Sequence, residues 1–454
     1  MTYDWTLRAT LVTAVLIGGP LHLGTATAGQ AGADAGVDPL TLTLDDAIAR
    51  GLEASHRVAE LEALGQAADA LVDASLAADR PIVALLGDYQ RTNHIDEFGV
   101  ILPNGEREVI FPDLPNNYRA RLDLRWPIYS SGRVEALERA ASAERSARLG
   151  EVASGRQDVR LEVTRAYWAL VTAGEAARVL EGALARMDAQ LRDVRNVLDV
   201  GLIPPNEVLA VEAERSRQEV LLIQARNQRA VAEADLARLV GLSSGARISP
   251  VSQLAASSVP EQPLAVLLAE AAAGRPDRRA LRDRLDAREA VRDAAAAGVR
   301  PVVSIGGGVD YSRPNPRFLP RRDLWQHSWD ASVNLSWRLW DGGRTRAEIA
   351  ESEAASRAMA ERLREFDSRL EFDVRRYTLE LDGARAAVPA TTAMVRSAEE
   401  ARRVVDERFA AGVATSTDAL DARVRLLEAE LGLTRALASV RLAEARLERA
   451  IGRP

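Results

Sequence analysis

Residues Trp329–Trp340 read WDASVNLSWRLW and run straight into Asp341-Gly342-Gly343-Arg344. Trp329, Ala331, Val333, Leu335, Trp337 and Leu339 share one parity; Asp330, Ser332, Asn334, Ser336 and Arg338 share the other. Strict alternation is the period of a strand with one apolar and one wet face. The glycine pair ends that strand, and a long helical pattern begins at Arg344. The same events occur once earlier, at Tyr118–Tyr129 (YRARLDLRWPIY) followed by Ser130-Ser131-Gly132-Arg133. Strand, sharp turn and very long helix are thus written twice, with Gly132, Asp341, Gly342 and Gly343 as the strand-to-helix turn residues.

The two copies keep a fixed offset of 211, pairing Leu124 with Leu335, Trp126 with Trp337, Gly132 with Gly343 and Gly201 with Gly412. Upstream the offset is 220, pairing Leu61 with Leu281 and Arg80-Pro81 with Arg300-Pro301. The first strand-to-strand loop, Arg91–Asn117, must therefore be nine residues longer than its counterpart, Tyr311–Ser328. Loops absorb such insertions cheaply. Each half then reads as a short amphipathic stretch (Leu44–Ala54 or Leu264–Ala273), a helix (Arg57–Asp79 or Asp277–Gly298) and a strand after Arg-Pro (Pro81–Gln90 or Pro301–Tyr311). The second strand follows, then a long helix (Arg133–Val200 or Arg344–Ala411), a turn, and a last helix (Asn206–Val240 or Thr417–Ile451). This divides the chain into a signal peptide (1–28), an N-terminal segment (29–43), a first repeat (44–242), a connector (243–263) and a second repeat (264–452).

Arg133–Val200 is 68 residues, roughly 100 Å of helix at 1.5 Å per residue. Such a rod needs neighbours along its whole length. Val159, Val163, Ala166, Leu170, Ala173, Ala177, Leu180, Leu184, Met187, Leu191, Val194 and Leu198 step by four and three without a miss, which is a coiled-coil seam. The second copy follows the pattern less cleanly, with Arg402 interrupting it and Pro389 expected to kink the helix.

Composition narrows the function. Aromatics are 4% and charged residues 28%, a balance that suits long exposed helices rather than one thick core. Net charge is −7, which gives no reason to expect a nucleic-acid partner. With no cysteine, disulfides, thiolate chemistry and an N-terminal lipid-modified cysteine are all excluded. Arg8, the apolar run Leu11–Leu23 and Ala26-Thr27-Ala28 read as a secretory signal. The four histidines are scattered, no group has ligand spacing, and Gly306-Gly307-Gly308 sits within a strand rather than before a helix. No metal, cofactor or enzyme activity is expected.

Four strands of ten to twelve residues match the 9–11 that cross a bilayer at a tilt. Trp126, Tyr129, Trp329, Trp337 and Trp340 lie at or near strand ends, where membrane-interface aromatics gather. Four strands cannot close a barrel, and an open edge in hydrocarbon leaves backbone groups unpaired. Several chains must then share one barrel. The competing reading is a non-channel periplasmic or surface coiled coil, with the strands forming a soluble sandwich.

LRWPIYSSGR (Leu124–Arg133) and LSWRLWDGGR (Leu335–Arg344) resemble the strand-to-helix signature of the TolC family of outer-membrane efflux proteins. The stretches around Val200-Gly201-Leu202 and Gly412-Val413 resemble its two coiled-coil tips, and Leu42–Leu52 its opening segment. The resemblance implies a homotrimer combining a twelve-stranded transmembrane β-barrel, four strands per chain, with a long α-helical coiled-coil barrel. It further implies a passive exit duct for efflux or type I secretion, set in the outer membrane of a Gram-negative bacterium and reaching into the periplasm. Its partners would be outer-membrane lipid, a periplasmic adaptor protein and an inner-membrane pump. Val200, Gly201, Leu202, Gly412 and Val413 would be the adaptor-contact tips, and Asp418 and Asp421 an acidic ring at the channel entrance. Glu207 matches a gate-bonding acid, but its usual tyrosine and arginine partners are replaced by Phe409 and Ala414, and a phenylalanine cannot donate the expected hydrogen bond.

Overall fold

The structure, a computed structural model, describes residues 39–243, 245–255 and 262–453. The expected signal peptide and part of the connector lie outside the described residues. In chain order the elements are β1 (Leu40–Leu42), α1 (Leu44–Ala54), α2 (His56–Leu76), β2 (Ile82–Arg91), β3 (Phe98–Ile101), β4 (Arg107–Phe111), β5 (Asn116–Tyr129) and α3 (Arg133–Asp199). After them come α4 (Pro205–Leu239), β6 (Ile248–Pro250), α5 (Leu264–Gly274), α6 (Pro276–Ala296), β7 (Val302–Arg313), β8 (Gln326–Ser336), α7 (Arg344–Ala410) and α8 (Ser416–Ile451). Apart from β1, β3, β4 and β6, the second half repeats the first element for element.

The main sheet is antiparallel in the order β2-β5-β7-β8. Its faces divide as the alternation requires. Val333 and Leu335 on β8 project exposed apolar side chains from one face, along with Tyr89, Leu122 and Leu124. The other face carries an ion-paired network. Arg121 on β5 contacts Asp310 on β7 at 2.5 Å and Asp330 on β8 at 2.7 Å, and Arg119 reaches Asp310 at 2.5 Å. To reach β8, the Arg121 guanidinium must cross β7. It crosses at Gly308, which is paired with Asp123 on one side and Asp330 on the other. A Cβ on Gly308 would sit 2.7 Å from Arg121 Cζ and 2.7 Å from the Leu122 carbonyl. The triple glycine thus makes room for a cross-strand arginine.

Three elements differ from the sequence reading. β8 ends at Ser336 instead of reaching Trp340, because its partner β7 begins at Val302, opposite Ser336, and offers no backbone beyond it. The long first loop contains a hairpin, β3–β4, closed by the Asn104-Gly105 turn with Gly105 at φ 83°. The connector supplies β6, which pairs in parallel with β1.

Both strand-to-helix corners use the same devices with different residues. Gly132 and Gly343 cap α3 and α7 at φ 85° and 91°. Asp341 accepts from the backbone N–H groups of Gly343 (3.0 Å) and Thr345 (2.9 Å). Its counterpart Ser130 accepts from Val134, the counterpart of Thr345, at 3.3 Å. Ser131 replaces Gly342 and takes φ 55°, an uncommon conformation for a side-chain-bearing residue, while its hydroxyl donates to the Pro301 carbonyl at 2.5 Å. Trp126 donates its indole N–H to the Asp79 carbonyl at 2.9 Å, and Trp337 to Val299 at 3.0 Å. Each tryptophan thereby ties a strand end to the end of the short helix beneath it.

Below the sheet, α3 and α7 are single helices of 67 residues each. The largest core joins α1, α3, α4, β1 and β6 around Tyr167, whose hydroxyl donates to the Leu42 carbonyl at 3.1 Å. A second core, built on Leu267, Leu370, Val374 and Ile451, joins α5, α7 and α8. α7 continues unbroken through Pro389, although that residue removes the N–H that would bond the Arg385 carbonyl. Where Arg402 breaks the apolar seam, it pairs with Asp406 at 2.9 Å, and Asp406 also holds Arg423 of α8 at 2.7 Å. A polar layer stands there in place of an apolar one.

Nothing lies within 4 Å of a Cβ built on Gly343, so Gly343→Ala should cost only backbone strain, about 1–2 kcal/mol. Gly308→Ala would meet a backbone carbonyl that cannot step aside, and about 1–3 kcal/mol of overpacking is expected together with loss of the Arg121–Asp330 bridge. Urea unfolding of the detergent-solubilised protein tests this: both midpoints should fall, and restoring Arg121 freedom with Asp330→Asn should compensate neither.

Candidate functional site

The end of the helical rods remote from the sheet brings together the residues the sequence singles out. α3 closes onto α4 through Gly201 and α7 onto α8 through Gly412, at φ 77° and 73°. The Leu202 N–H returns to the Val197 carbonyl (3.1 Å) and the Val413 N–H to the Arg408 carbonyl (2.8 Å), so both tips are the same αL-terminated turn. No atom lies within 4 Å of a Cβ on either glycine. Glycine is needed there for its φ, not for space. The turns leave Val200, Leu202 and Val413 at 69%, 76% and 67% exposure, an unusual concentration of bare aliphatics on a surface otherwise rich in charge.

Beneath the turns, Met187, Leu191, Val194, Val208 and Val211 form an apolar plug against which Leu198, Ile203, Phe409 and Leu420 pack. All four tip helices contribute to it. Phe409 is therefore a packing residue of the plug, and Ala414 is half-buried in the second turn, its N–H bonded to the Arg408 carbonyl at 3.2 Å.

Glu207 has a partner that the sequence reading missed. The hydroxyl of Ser416, a buried residue at the start of α8, donates to Glu207 Oε2 at 2.5 Å. This contact joins the two tips within one chain. Ser416 lies two positions beyond the aligned Ala414, and only the three-dimensional arrangement brings it to Glu207.

Asp418 serves first as a helix cap. Its carboxylate accepts from the Thr415 N–H (2.9 Å) and Thr415 Oγ1 (2.7 Å), while the Asp418 N–H donates back to Thr415 Oγ1 (3.1 Å). This reciprocal pair is a capping box. The backbone hydrogen bond from Thr415, followed by its side-chain hydrogen bond, holds the Asp418 carboxyl below the ordinary aspartate range. Asp421 is exposed one turn further on, three residues along the same helix.

Of the expected interface aromatics, Tyr129 ends β5, Trp329 lies within β8, and Trp340 stands free in the corner, all three exposed. Trp126 and Trp337 are exposed too, with their indole N–H groups committed as described above. At the other end of the sheet, Trp325 stacks on Tyr311 with ring centroids 4.9 Å apart, and Tyr89 lies 5.0 Å from Tyr118. Tyr118 and Trp126 are eight positions apart on β5, roughly 27 Å along a strand. Two aromatic sets thus bracket an apolar sheet face of bilayer dimensions. Among the described residues no helix is long and apolar enough to cross a membrane.

A bilayer-sized sheet face on helical rods of this length defines the outer-membrane duct class, and the comparisons agree. The sequence profile described as "Outer membrane efflux protein" matches residues 47–242 and 267–453. Outer membrane protein TolC of Vibrio cholerae is 25% identical over 332 residues, 68% of this chain and 72% of its own length. Outer membrane efflux protein BepC of Brucella suis is 27% identical over 307 residues, 65% of this chain and 64% of its own. Among solved structures, the outer membrane protein VceC of Vibrio cholerae superposes with a TM-score of 0.77 at 18% identity, covering 90% of this chain and 96% of that one. CusC superposes with a TM-score of 0.78 at 15% identity, covering 90% and 92%.

This chain belongs to the outer membrane efflux protein family, whose members are channels. It is an outer-membrane efflux channel with a TolC-like fold.

Because the depressed Asp418 pKa contributes to α8 only while the carboxylate is charged, that contribution is present above the ordinary aspartate range. It is lost as pH falls through the lower folded value. Amide exchange at residues 416–419 should therefore stay slow from neutral pH down through mild acid, whereas in Asp418→Asn it should already be fast at neutral pH.

Proposed function

We propose that three copies of the chain close a twelve-stranded barrel in the outer membrane and a helical tunnel across the periplasm. Cargo leaves passively through this duct, delivered by an inner-membrane pump through a periplasmic adaptor in efflux or type I secretion. The observation that carries the assembly is the sheet itself. Its apolar face and both its edges are open, and in hydrocarbon such edges must be paired. The exposed Val200, Leu202 and Val413 at the tips provide the apolar knobs on which an adaptor hairpin would seat. The chain reaches the envelope by its signal peptide and, having no cysteine, carries no lipid on one.

In this reading the tips form the gate. Asp418 and Asp421 lie on the same helix face at the second tip, and three copies of each would make an acidic ring that favours cations. The Ser416–Glu207 hydrogen bond holds the second tip against the first. It takes the role denied to Phe409, which lacks a hydroxyl, and to Ala414, which lacks a charge.

Planar-bilayer recording tests both features. Ser416→Ala removes from each copy a hydrogen bond worth about 1 kcal/mol, so the ratio of open to closed channel should rise about fivefold for each copy that must open; an unchanged ratio would show that the bond is not a latch. Asp418→Asn combined with Asp421→Asn should lower cation preference and weaken block by divalent cations. Unaltered reversal potentials would remove the ring from the proposal.

A further inference from the structure

The apolar face of the main sheet is charged at one end only. Among its described strand residues the only Arg, Asp or Glu of that parity are Arg91 and Arg313, each the last residue of its strand. Each stands two residues past a tyrosine of the same face, Tyr89 or Tyr311, roughly 7 Å further from the helices. At the corner end the same parity on β8 runs on through Trp337 and Leu339 to Asp341, a carboxylate spent on capping α7.

The loop from β7 to β8 adds a third cation. Asp323 holds Arg313 through bonds of 2.7 and 2.6 Å, which use two of the five N–H donors of its guanidinium. Arg322, beside Asp323, is exposed, and so is Arg91; among the described residues neither side chain has a hydrogen bond or ion pair. The loop is built, not loose. Asn315, 1% exposed, donates to the Gln326 carbonyl and the Ser328 hydroxyl, both at 3.1 Å. The Arg321 N–H donates to the Ile110 carbonyl at 3.0 Å, and its guanidinium lies 5.3 Å from the centre of the Phe111 ring. Three cations against one carboxylate leave this rim positive. The carboxylates of the long first loop begin only at Asp96, beyond Arg91 and off the ladder of the sheet.

We infer that this rim docks the phosphorylated glycolipid of the outer leaflet, lipopolysaccharide, with Arg91, Arg313 and Arg322 taking the phosphates of its lipid A. The inference rests on the reading above, in which the helices point into the periplasm and the opposite end of the sheet faces outward, and it adds which lipid that end meets. Aromatic belts sit at headgroup level, so cations one step beyond Tyr89 and Tyr311 stand among phosphates. A guanidinium meets a phosphate with paired N–H donors. Arg91 and Arg313 are two strands and one row apart in the ladder, roughly 12 Å from strand spacing and rise. That is too far for one phosphate to take both, and suits a disaccharide headgroup with a phosphate at each end. The inner leaflet, at the corner end, meets only aromatic and aliphatic side chains on this parity until Asp341. The charge asymmetry of the sheet thus follows that of the membrane.

Native mass spectrometry of the full-length protein in detergent, titrated with lipid A carrying both phosphates, reads the binding directly. Arg91→Gln and Arg322→Gln should each lower the affinity about fivefold, and the pair about twenty-five-fold. Arg125→Gln, which removes an exposed arginine from the polar face, should change nothing. Phosphatidylglycerol should bind more weakly and without dependence on either arginine. A double variant with wild-type affinity for lipid A overturns the docking surface, and equal dependence for phosphatidylglycerol overturns its assignment to the glycolipid. Should the variants fail to assemble, monophosphoryl lipid A on the unaltered protein applies the same test: loss of one phosphate should cost about fivefold, and undiminished binding overturns the inference. A trimer that ignores lipid A overturns this inference and leaves the shared barrel standing, whereas a monomer in every detergent overturns both.

Discussion

An unpaired backbone group in hydrocarbon costs several kcal/mol, and this constraint shapes the whole molecule. The main sheet has four strands, with an apolar face of bilayer height and two open edges. Alone it does not close into a barrel. In the proposed trimer, the other elements hold that fragment so that copies of it meet. The long helices fix the spacing between strand pairs, the corner glycines set the angle at which strand becomes helix, and Trp126 and Trp337 fasten the strand ends to the helices below.

The polar face of the sheet follows the same logic. A wet lumen tolerates charge, but charges held in pairs across strands also fix strand order. Arg121 binds Asp310 on its neighbour and Asp330 on the strand beyond, so one side chain ties three strands. Its reach depends on the missing side chain at Gly308. These contacts are short and are made by side chains largely withdrawn from solvent against the sheet.

Much of this was legible in the sequence because it is periodic. Alternation locates the strands, the four-three step locates the rods, and the repeat offset places α1, α2 and α5 to α8 within two or three residues of where they lie. What was not legible has a common cause in contacts between residues far apart in the chain. β6 is three residues long and exists because β1 lies beside it. The role of Gly308 depends on an arginine 187 positions earlier, at 121. Ser416 carries no signal as a partner of Glu207 until folding sets the two together. The β3–β4 hairpin is the exception, since its Asn-Gly turn between apolar runs was a local cue that the reading passed over.

The two repeats also show what a neighbour does to a sequence. Tyr167 and Trp168 lie at the centre of the first core; their counterparts, Thr378 and Leu379, are a half-buried threonine and an exposed leucine. The two copies have the same helix length and end in the same kind of turn, so the difference does not come from local propensity. It comes from what surrounds them. α3 is enclosed by its own chain on both flanks, and its seam is apolar without a miss. α7 is enclosed on one flank, chiefly by α6, and its seam is interrupted at Arg402. A helix that finishes its packing within the chain can be selected for one fixed set of neighbours. In the proposed trimer, one that meets a second copy keeps a less apolar surface before assembly. The uneven heptads of the second repeat therefore fit the proposed trimer, in which the partners of α7 are divided between its own chain and the next.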